Sequence, residues 1–318
     1  MFSFITKRIT QVIPVLIAAS FIIFLMVRAL PGDPALMYAG PDATDEMVEA
    51  LRLRMGLDKP ILQQYLIWLV NSFKGDFGKS MISGMQVSFL LSRAIPATLI
   101  LTFTVLFFSV FIAIPLGIIS AIKDKKFIDG AIDTYVAISL ALPNFWLGIL
   151  LILLFSVKLS LLPSSGYTPL SENFAESIRY LILPAVALGN RLTAEITRFV
   201  KSSILETFKE DFIRTAKAKG LGIYRLTFQH VLRNALIPIV TMIGMRFGRL
   251  LGGAVIVETV FSWPGVGRLI ANAIGQRDYP MIQAGLMFVI LIYIIINLCT
   301  DLLYGIIDPR ISLDRKKG

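Results

Sequence analysis

His230 is the only histidine and Cys299 the only cysteine among the 318 residues. One of each excludes a histidine pair, a Cys/His metal set and an intrachain disulfide. No Gly-x-Ser-x-Gly nucleophile elbow occurs, and the Gly-x-Gly-Asp signature of intramembrane proteases is also missing. Gly78-Lys79-Ser80 ends like a phosphate-binding loop, but that motif requires glycine at position 73, where Phe73 stands. The chain therefore shows no catalytic residues, no metal ligands and no ATP site of its own. Any chemistry on ATP falls to a partner.

Two groups of residues remain. The first is Glu210-Asp211-Phe212-Ile213-Arg214-Thr215-Ala216-Lys217-Ala218-Lys219-Gly220. Acidic residues at its start, Lys217 and Lys219 at its end and Gly220 beyond predict a short helix aligned with its own dipole. Phe212, Ala216 and Lys219 follow i, i+4, i+7 and so share a face. An aromatic side chain beside a small residue suits a groove on another protein. A cationic loop that only fixes membrane topology would carry similar charge.

The second group sits inside apolar sequence. Gly244, Gly248 and Gly252 recur every four residues, a spacing that permits close approach of two helix backbones. Arg246 and Arg249 lie between them. An arginine at the centre of a span costs about 2.5–3.5 kcal/mol, against about 0.3–0.6 returned by each Leu, Ile, Val or Phe. That face must line a watery cavity or find partners for its charge. Arg191, Glu195 and Arg198 share a face of another helix, where Glu195 can pair internally. Glu258, near the outer end of the Gly244–Gly252 helix, is a further intramembrane acid.

The elements that must position these residues are membrane spans. Only 16% of residues are charged, against about 25% in soluble domains. No charge occurs between Arg93 and Lys123, between Asp133 and Lys158, or between Asp278 and Asp301. Each run suffices for a helix crossing about 30 Å of hydrocarbon. Six spans are predicted: Ile9–Leu30, Pro96–Ile122, Ile132–Val157, Tyr180–Val200, Ala235–Val257 and Tyr279–Tyr304. The apolar stretch of the first is too long for a signal peptide and has no small-x-small cleavage site. Pro115 and Gly117 predict a kink in the second.

The net charge of +10 collects in short segments between apolar runs, as the positive-inside rule requires, rather than in the basic stripe of a nucleic-acid-binding domain. Both termini and the basic 201–234 loop then face the cytoplasm. The organisation is a first transmembrane helix (1–30), an extracytoplasmic segment (31–95) with a helix over Thr44–Met55, and a core of five spans (96–318).

Arg214-Thr215-Ala216-Lys217-Ala218-Lys219-Gly220-Leu221, followed by His230-Val231-Leu232-Arg233-Asn234-Ala235-Leu236-Ile237-Pro238, resembles the cytoplasmic EAA loop of binding-protein-dependent ABC permeases. The likeness is to the dipeptide, oligopeptide and nickel branch, first-subunit type. Leu30-Pro31-Gly32-Asp33-Pro34, Gly75-Asp76-Phe77-Gly78, Pro143-Asn144-Phe145-Trp146-Leu147-Gly148, Glu258-Thr259-Val260-Phe261-Ser262-Trp263-Pro264-Gly265 and Asp308-Pro309-Arg310 extend it along the chain. Arg214 and Thr215 replace the usual glutamate and alanine, and Arg233 the usual proline.

The resemblance implies an all-α type I importer permease. It makes Phe212–Lys219 a coupling helix that docks into a cytoplasmic ATPase. It also implies a second, homologous permease subunit, two ABC ATPase subunits that bind the ATP and Mg, and an extracytoplasmic solute-binding protein, in a bacterial or archaeal inner membrane. The glycine row then serves either the interface between permeases or packing within the chain, with Arg246, Arg249 and Glu258 along the path or that interface. Peptides are the expected solute. Glutathione or a nickel chelate is the alternative within the architecture, and a stand-alone secondary transporter the alternative outside it.

Overall fold

The structure, a computed structural model, describes the backbone of residues 2–307 except 30, 31, 41 and 125, and the side chains of 10–300 with the same exceptions. The expected basic tail, with Arg310, Arg315, Lys316 and Lys317, lies outside the described residues. Those described form helices joined by short loops. A long first helix, α1 (Phe2–Arg28), ends before Gly32, and Asp33 caps α2 (Pro34–Ala39) by accepting the Ala35 amide at 2.9 Å. Thr44 caps α3 (Asp45–Arg54), and Gly56 just beyond takes φ +66°.

Residues 31–95, read as a polar segment with one helix, hold two that this reading did not anticipate, α2 and α4 (Ile61–Phe73). Tyr65 of α4 is buried against α1, its hydroxyl 2.9 Å from that of Ser20 and its ring edge-on to Phe21 and Phe24. Ile61, Leu62, Leu66, Val70 and Phe73 are left exposed. This apolar helix lies against a membrane-spanning one, as an interfacial helix would.

The second long helix, α5 (Val87–Ile122), starts nine residues before the expected boundary and runs unbroken through Pro96 and Pro115. Neighbouring helices shield backbone groups that proline frees, so proline inside a span need not end it. The third span, expected over Ile132–Val157 with interruptions at Pro143 and Gly148, is a bent pair that breaks at Pro143 and not at Gly148: α6 (Phe127–Ala141) and α7 (Asn144–Leu151), the latter continuing as a π turn over Ile152–Lys158. The two arms meet at 103°. The cause is local: Leu142, ahead of Pro143, is driven out of the helical region to φ −79°, ψ 127°.

At the centre lies α8 (Phe174–Thr207), packed against α5, α6, α7 and the helix beyond the loop. Small residues let α5 and α8 approach closely: a Cβ on Gly117 would come 2.6 Å from Val200, and Ser109 donates to the carbonyl of Gly189 at 3.2 Å. After α9 (Asp211–Ala218), α10 (Ile223–Leu226), a π turn over Thr227–Val231 and α11 (Leu232–Val260) form one rod. Arg225 and Arg233 therefore sit on this rod rather than in the loop expected to reach Asn234. The loop shrinks to the neighbourhood of α9. Trp263, wholly buried, donates to the carbonyl of Ala97 at 2.9 Å and stands edge-on to Tyr167. The Trp263 turn leads into an unanticipated amphipathic helix, α12 (Val266–Gln276), and then α13 (Tyr279–Ile307).

Two apolar clusters hold these helices. The larger joins α5, α8, α9 and the α10–α11 rod. The smaller ties α1 to the start of α5, α12 and α13. Four described helices are long and apolar enough to cross a membrane (α1, α5, the α10–α11 rod and α13), five if the bent pair is one crossing. The fourth expected span, Tyr180–Val200 within α8, fails that test because Asn190, Arg191, Glu195 and Arg198 interrupt it. Fifteen residues of α8, Ser177 to Ile204, are nevertheless buried in protein.

Candidate functional site

The expected short helix runs Asp211–Ala218, with Glu210 at the N-cap position and Lys219 at the C-cap. Gly220 has φ +83°, and the Leu221 amide reaches back to the Ala216 carbonyl at 3.4 Å, a Schellman-type ending that a left-handed glycine permits. Ile213 (2% exposed) and Ala216 (9%) face the large apolar cluster, alongside Ile204, Leu226 and Val231. Phe212 points away and is 44% exposed. The single face expected for Phe212 and Ala216 is thus divided: Ala216 anchors the helix and Phe212 projects from it. Arg214 pairs with Asp211 at 3.5 Å across exposed surface, and Thr215 donates to the Asp211 carbonyl at 3.0 Å. Lys217 and Lys219 are exposed as well. The result is an aromatic knob in a cationic rim on a short helix seated on the core.

The intramembrane charges of α8 and α11 come together. Glu195 accepts from Arg191 Nε at 3.3 Å and pairs with Arg246 at 3.1 Å. Arg191 also reaches the Leu140 carbonyl at 3.4 Å. Arg198 and Arg249 have no ion-pair or hydrogen-bond partner among the described residues. The cluster lines two adjoining cavities between α8 and α11. One, of about 300 Å³, has Asn144, Leu188 and Arg249 in its wall; the other, of about 420 Å³, has Arg198, Ser202 and Met242. Arg191, Glu195 and Arg246 belong to both. Helical spacing explains the convergence: Leu188, Arg191, Glu195, Arg198 and Ser202 form one stripe of α8, and Met242, Arg246, Arg249 and Gly253 the facing stripe of α11.

The glycine row faces elsewhere. A Cβ on Gly244 would meet Thr300 of α13 at 2.0 Å, and one on Gly248 would meet the Tyr293 ring at 2.7 Å, whereas one on Gly252 meets nothing within 4 Å. Gly244 and Gly248 thus seat α13 within the chain; Gly252 alone opens outward. Glu258 belongs to neither cavity. It is fully buried, its Oε1 accepting from Thr98 at 2.7 Å and its Oε2 from the Arg268 amide at 3.0 Å. Thr98 in turn accepts the Val266 amide at 2.8 Å. The carboxylate and its threonine satisfy the free amides that open α12. A Cβ at Gly265 or Gly267 would run into that carboxylate. Expected on the path or an interface, Glu258 is found fastening α12 to α5.

Two clusters escaped sequence reasoning. Lys201 pairs with Asp129 at 2.5 Å and Asp133 at 2.8 Å, and Ser120 also donates to Asp129, so one lysine ties the ends of α5 and α6 to α8. Asp278 accepts from Ser80 Oγ at 2.5 Å and from the Met81 amide at 3.1 Å, clipping the loop before α5 to the start of α13. Asp129 and Asp133 at i, i+4 were visible, but nothing local announces a lysine 68 residues beyond Asp133.

The comparisons with known proteins bear on this arrangement. The family described as binding-protein-dependent transport system inner membrane component matches residues 113–313, and its N-terminal counterpart matches residues 1–83. The chain is a permease of the ABC transporters. Among its relatives within this permease family is a probable peptide ABC transporter permease protein of Sinorhizobium fredii, 40% identical over 97% of this chain and 98% of that protein. A glutathione transport system permease protein of Escherichia coli is 40% identical over 98% of this chain and 99% of its own length. A solved structure of the MetNI methionine ABC transporter in an inward-facing conformation superposes with a TM-score of 0.55 at 20% identity. It covers 69% of this chain and 97% of that one, so the ABC permease fold is shared at low sequence likeness.

Proposed function

We propose that this permease is one of two homologous membrane subunits of an ATP-driven importer, lining half of a path for di- and oligopeptides. In this reading α1, α5, the bent α6–α7 pair, α8, the α10–α11 rod and α13 make six crossings of a bacterial or archaeal inner membrane. Both termini and α9 face the cytoplasm, and residues 31–95 lie outside, towards a solute-binding protein. Two cytoplasmic ATPases supply the ATP and Mg; the chain itself is not an enzyme.

The observation that carries the reading is α9. A short helix anchored by Ile213 and Ala216 and projecting Phe212 among cations has the form of a knob for a groove in a motor subunit. Basic residues at the adjoining ends of α8 and the α10–α11 rod support an inner-side position for it by the positive-inside rule. Peptide as the solute is supported by the Sinorhizobium relative. Equal identity to the glutathione permease favours, as a second reading, a glutathione-like peptide.

The test uses the assembled transporter in proteoliposomes. Phe212→Ala is expected to lower solute-stimulated ATP hydrolysis and uptake at least tenfold with unchanged assembly, because the side chain is exposed and belongs to neither apolar cluster. Gly220→Val, which meets open space but forces a β-branched residue to φ +83°, should act in the same direction. Labelling of a cysteine placed at Lys217 by an impermeant reagent from outside intact cells would overturn the orientation.

A further inference from the structure

The cavities between α8 and α11 carry a charge that the importer reading leaves unexplained. Arg191, Arg198, Arg246 and Arg249 face a single acid, Glu195, and no other Asp or Glu lines either cavity. Glu195 is engaged by Arg191 and Arg246 at 3.3 and 3.1 Å. Arg198 and Arg249 therefore stand free among the described residues, one in each cavity. The order along the helices is fixed. Arg249, with Asn144, lies towards the α7 side, and Arg198, with Ser202, towards the α9 end, with the paired Arg191–Glu195–Arg246 group between them.

Arg198 and Arg249 are exposed at the cavity walls, and the planar fork of donors on a free guanidinium matches a carboxylate. Two free forks separated by a neutralised stretch make a pair of stations rather than one trap. Each can hold an anionic group, and the Glu195 group between them limits how tightly it is held, as a path that must also release its cargo requires.

We infer that Arg249 and Arg198 form successive carboxylate-binding stations on the translocation path, so that this permease passes solutes with a carboxylate beyond those balanced by ammonium groups in preference to neutral counterparts. The inference rests on the importer reading and adds to it the charge class of the cargo and the two residues that read it.

The complete transporter, reconstituted with its binding protein, is given the tripeptides Ala-Glu-Ala and Ala-Gln-Ala, which differ by one charge at nearly constant shape. Affinity of the binding protein for each is measured separately, and uptake rates are compared at saturation, so that selection by the binding protein drops out. The expected result is a wild-type rate several-fold higher for the glutamate peptide. In the double variant Arg198→Gln/Arg249→Gln that preference should vanish, the glutamate peptide slowing about tenfold and the glutamine peptide, which offers only its C-terminal carboxylate, by a smaller factor. Arg198→Lys/Arg249→Lys, which keeps the charge, should restore much of the preference.

Uptake of the glutamine peptide reports that the variant is assembled. Should the double variant fail to assemble, Arg249→Gln alone, whose side chain holds no partner, is read by the same ratio. Equal slowing of both peptides, or a preference that survives the glutamine variants, overturns the inference and leaves the importer reading standing. Absence of ATP-driven uptake of either peptide by the wild type sinks both.

Discussion

Replacing the three glycines of α11 one at a time separates packing within the chain from packing between subunits. Each Gly→Ala change in a helix gains about 1 kcal/mol from the smaller entropy loss of alanine, and that gain is common to all three and cancels in comparison. The environments do not cancel. At Gly244 the new methyl would sit 2.0 Å from Thr300 Cγ2 and 2.8 Å from its Cβ, so no rotation of a side chain as short as threonine removes the conflict and α11 must part from α13. At Gly248 the contact is with the edge of the Tyr293 ring, which can swing. At Gly252 there is nothing to strike.

Overpacking costs about 1–3 kcal/mol, and Gly244 belongs at the upper end. Gly244→Ala should therefore fall about 3 kcal/mol below Gly252→Ala in stability, with Gly248→Ala between. Thermal unfolding of the chain purified alone in detergent reads this order. Thr300→Gly should rescue Gly244→Ala, whereas Thr300→Ala should rescue it only partly, because the Cβ remains. Equal stability of the Gly244 and Gly252 variants in the isolated chain would refute the packing argument. Loss of subunit association on Gly252→Ala, with the lone chain intact, would assign that one glycine to the interface.

Lys201→Met should destabilise by about 2 kcal/mol, the range for a hydrogen bond to a charged group, because it removes the cation from Asp129, whose side chain is only 7% exposed and keeps its hydrogen bond from Ser120. Asp133→Asn, at a carboxylate 56% exposed, should change stability by less than about 0.5 kcal/mol; thermal melts of the two compare them. The hydrogen bond from Arg52 holds the Asp33 carboxyl below its ordinary range, helped by the Ala35 amide and opposed by partial burial. Its native affinity for a proton is thus lower than in the unfolded chain, so the stabilisation is full above the unfolded value of about 3.9 and fades as pH drops through the depressed native one. Both side chains are about a third exposed, so the effect should not exceed about 1 kcal/mol. The gap in melting temperature between wild type and Asp33→Asn should be present at pH 6 and close on acidification; a gap that widens in acid would reverse the sign argued here.

Sequence reading located what depends on composition and local order. The long uncharged runs after Arg93 and Asp278 became α5 and α13, Thr44 capped α3, and Gly220 took the left-handed turn its position suggested. It failed where the answer depended on a neighbour. The break expected at Pro143 is present as a 103° bend, but Pro96, expected to open its span, is absorbed into an α5 that starts nine residues earlier among its neighbours. The sequence of 61–73 was read as part of a polar segment because its partner, Ser20 with the α1 aromatics, lies more than forty residues away. Glu258 illustrates the same limit: an acid at the end of a span suggests the path, and only the fold reveals that the amides it serves belong to the next helix.

The arginines of α8 and α11 join these strands. Hydropathy rejects α8 as a lipid-facing span for the same reason that it can sit at the centre of a permease: its polar stripe is turned towards α11 and its apolar residues are covered by α5. Insertion cost would weigh heavily against four arginines and a glutamate on a face that met lipid. The structure meets part of that cost with the Glu195 pairs and leaves Arg198 and Arg249 facing open cavity. A stripe of charge shared by two facing helices and turned towards open space is what a polar path through a bilayer demands. A purely structural ion-pair network would have placed a second acid beside them, and the cavity walls contain none.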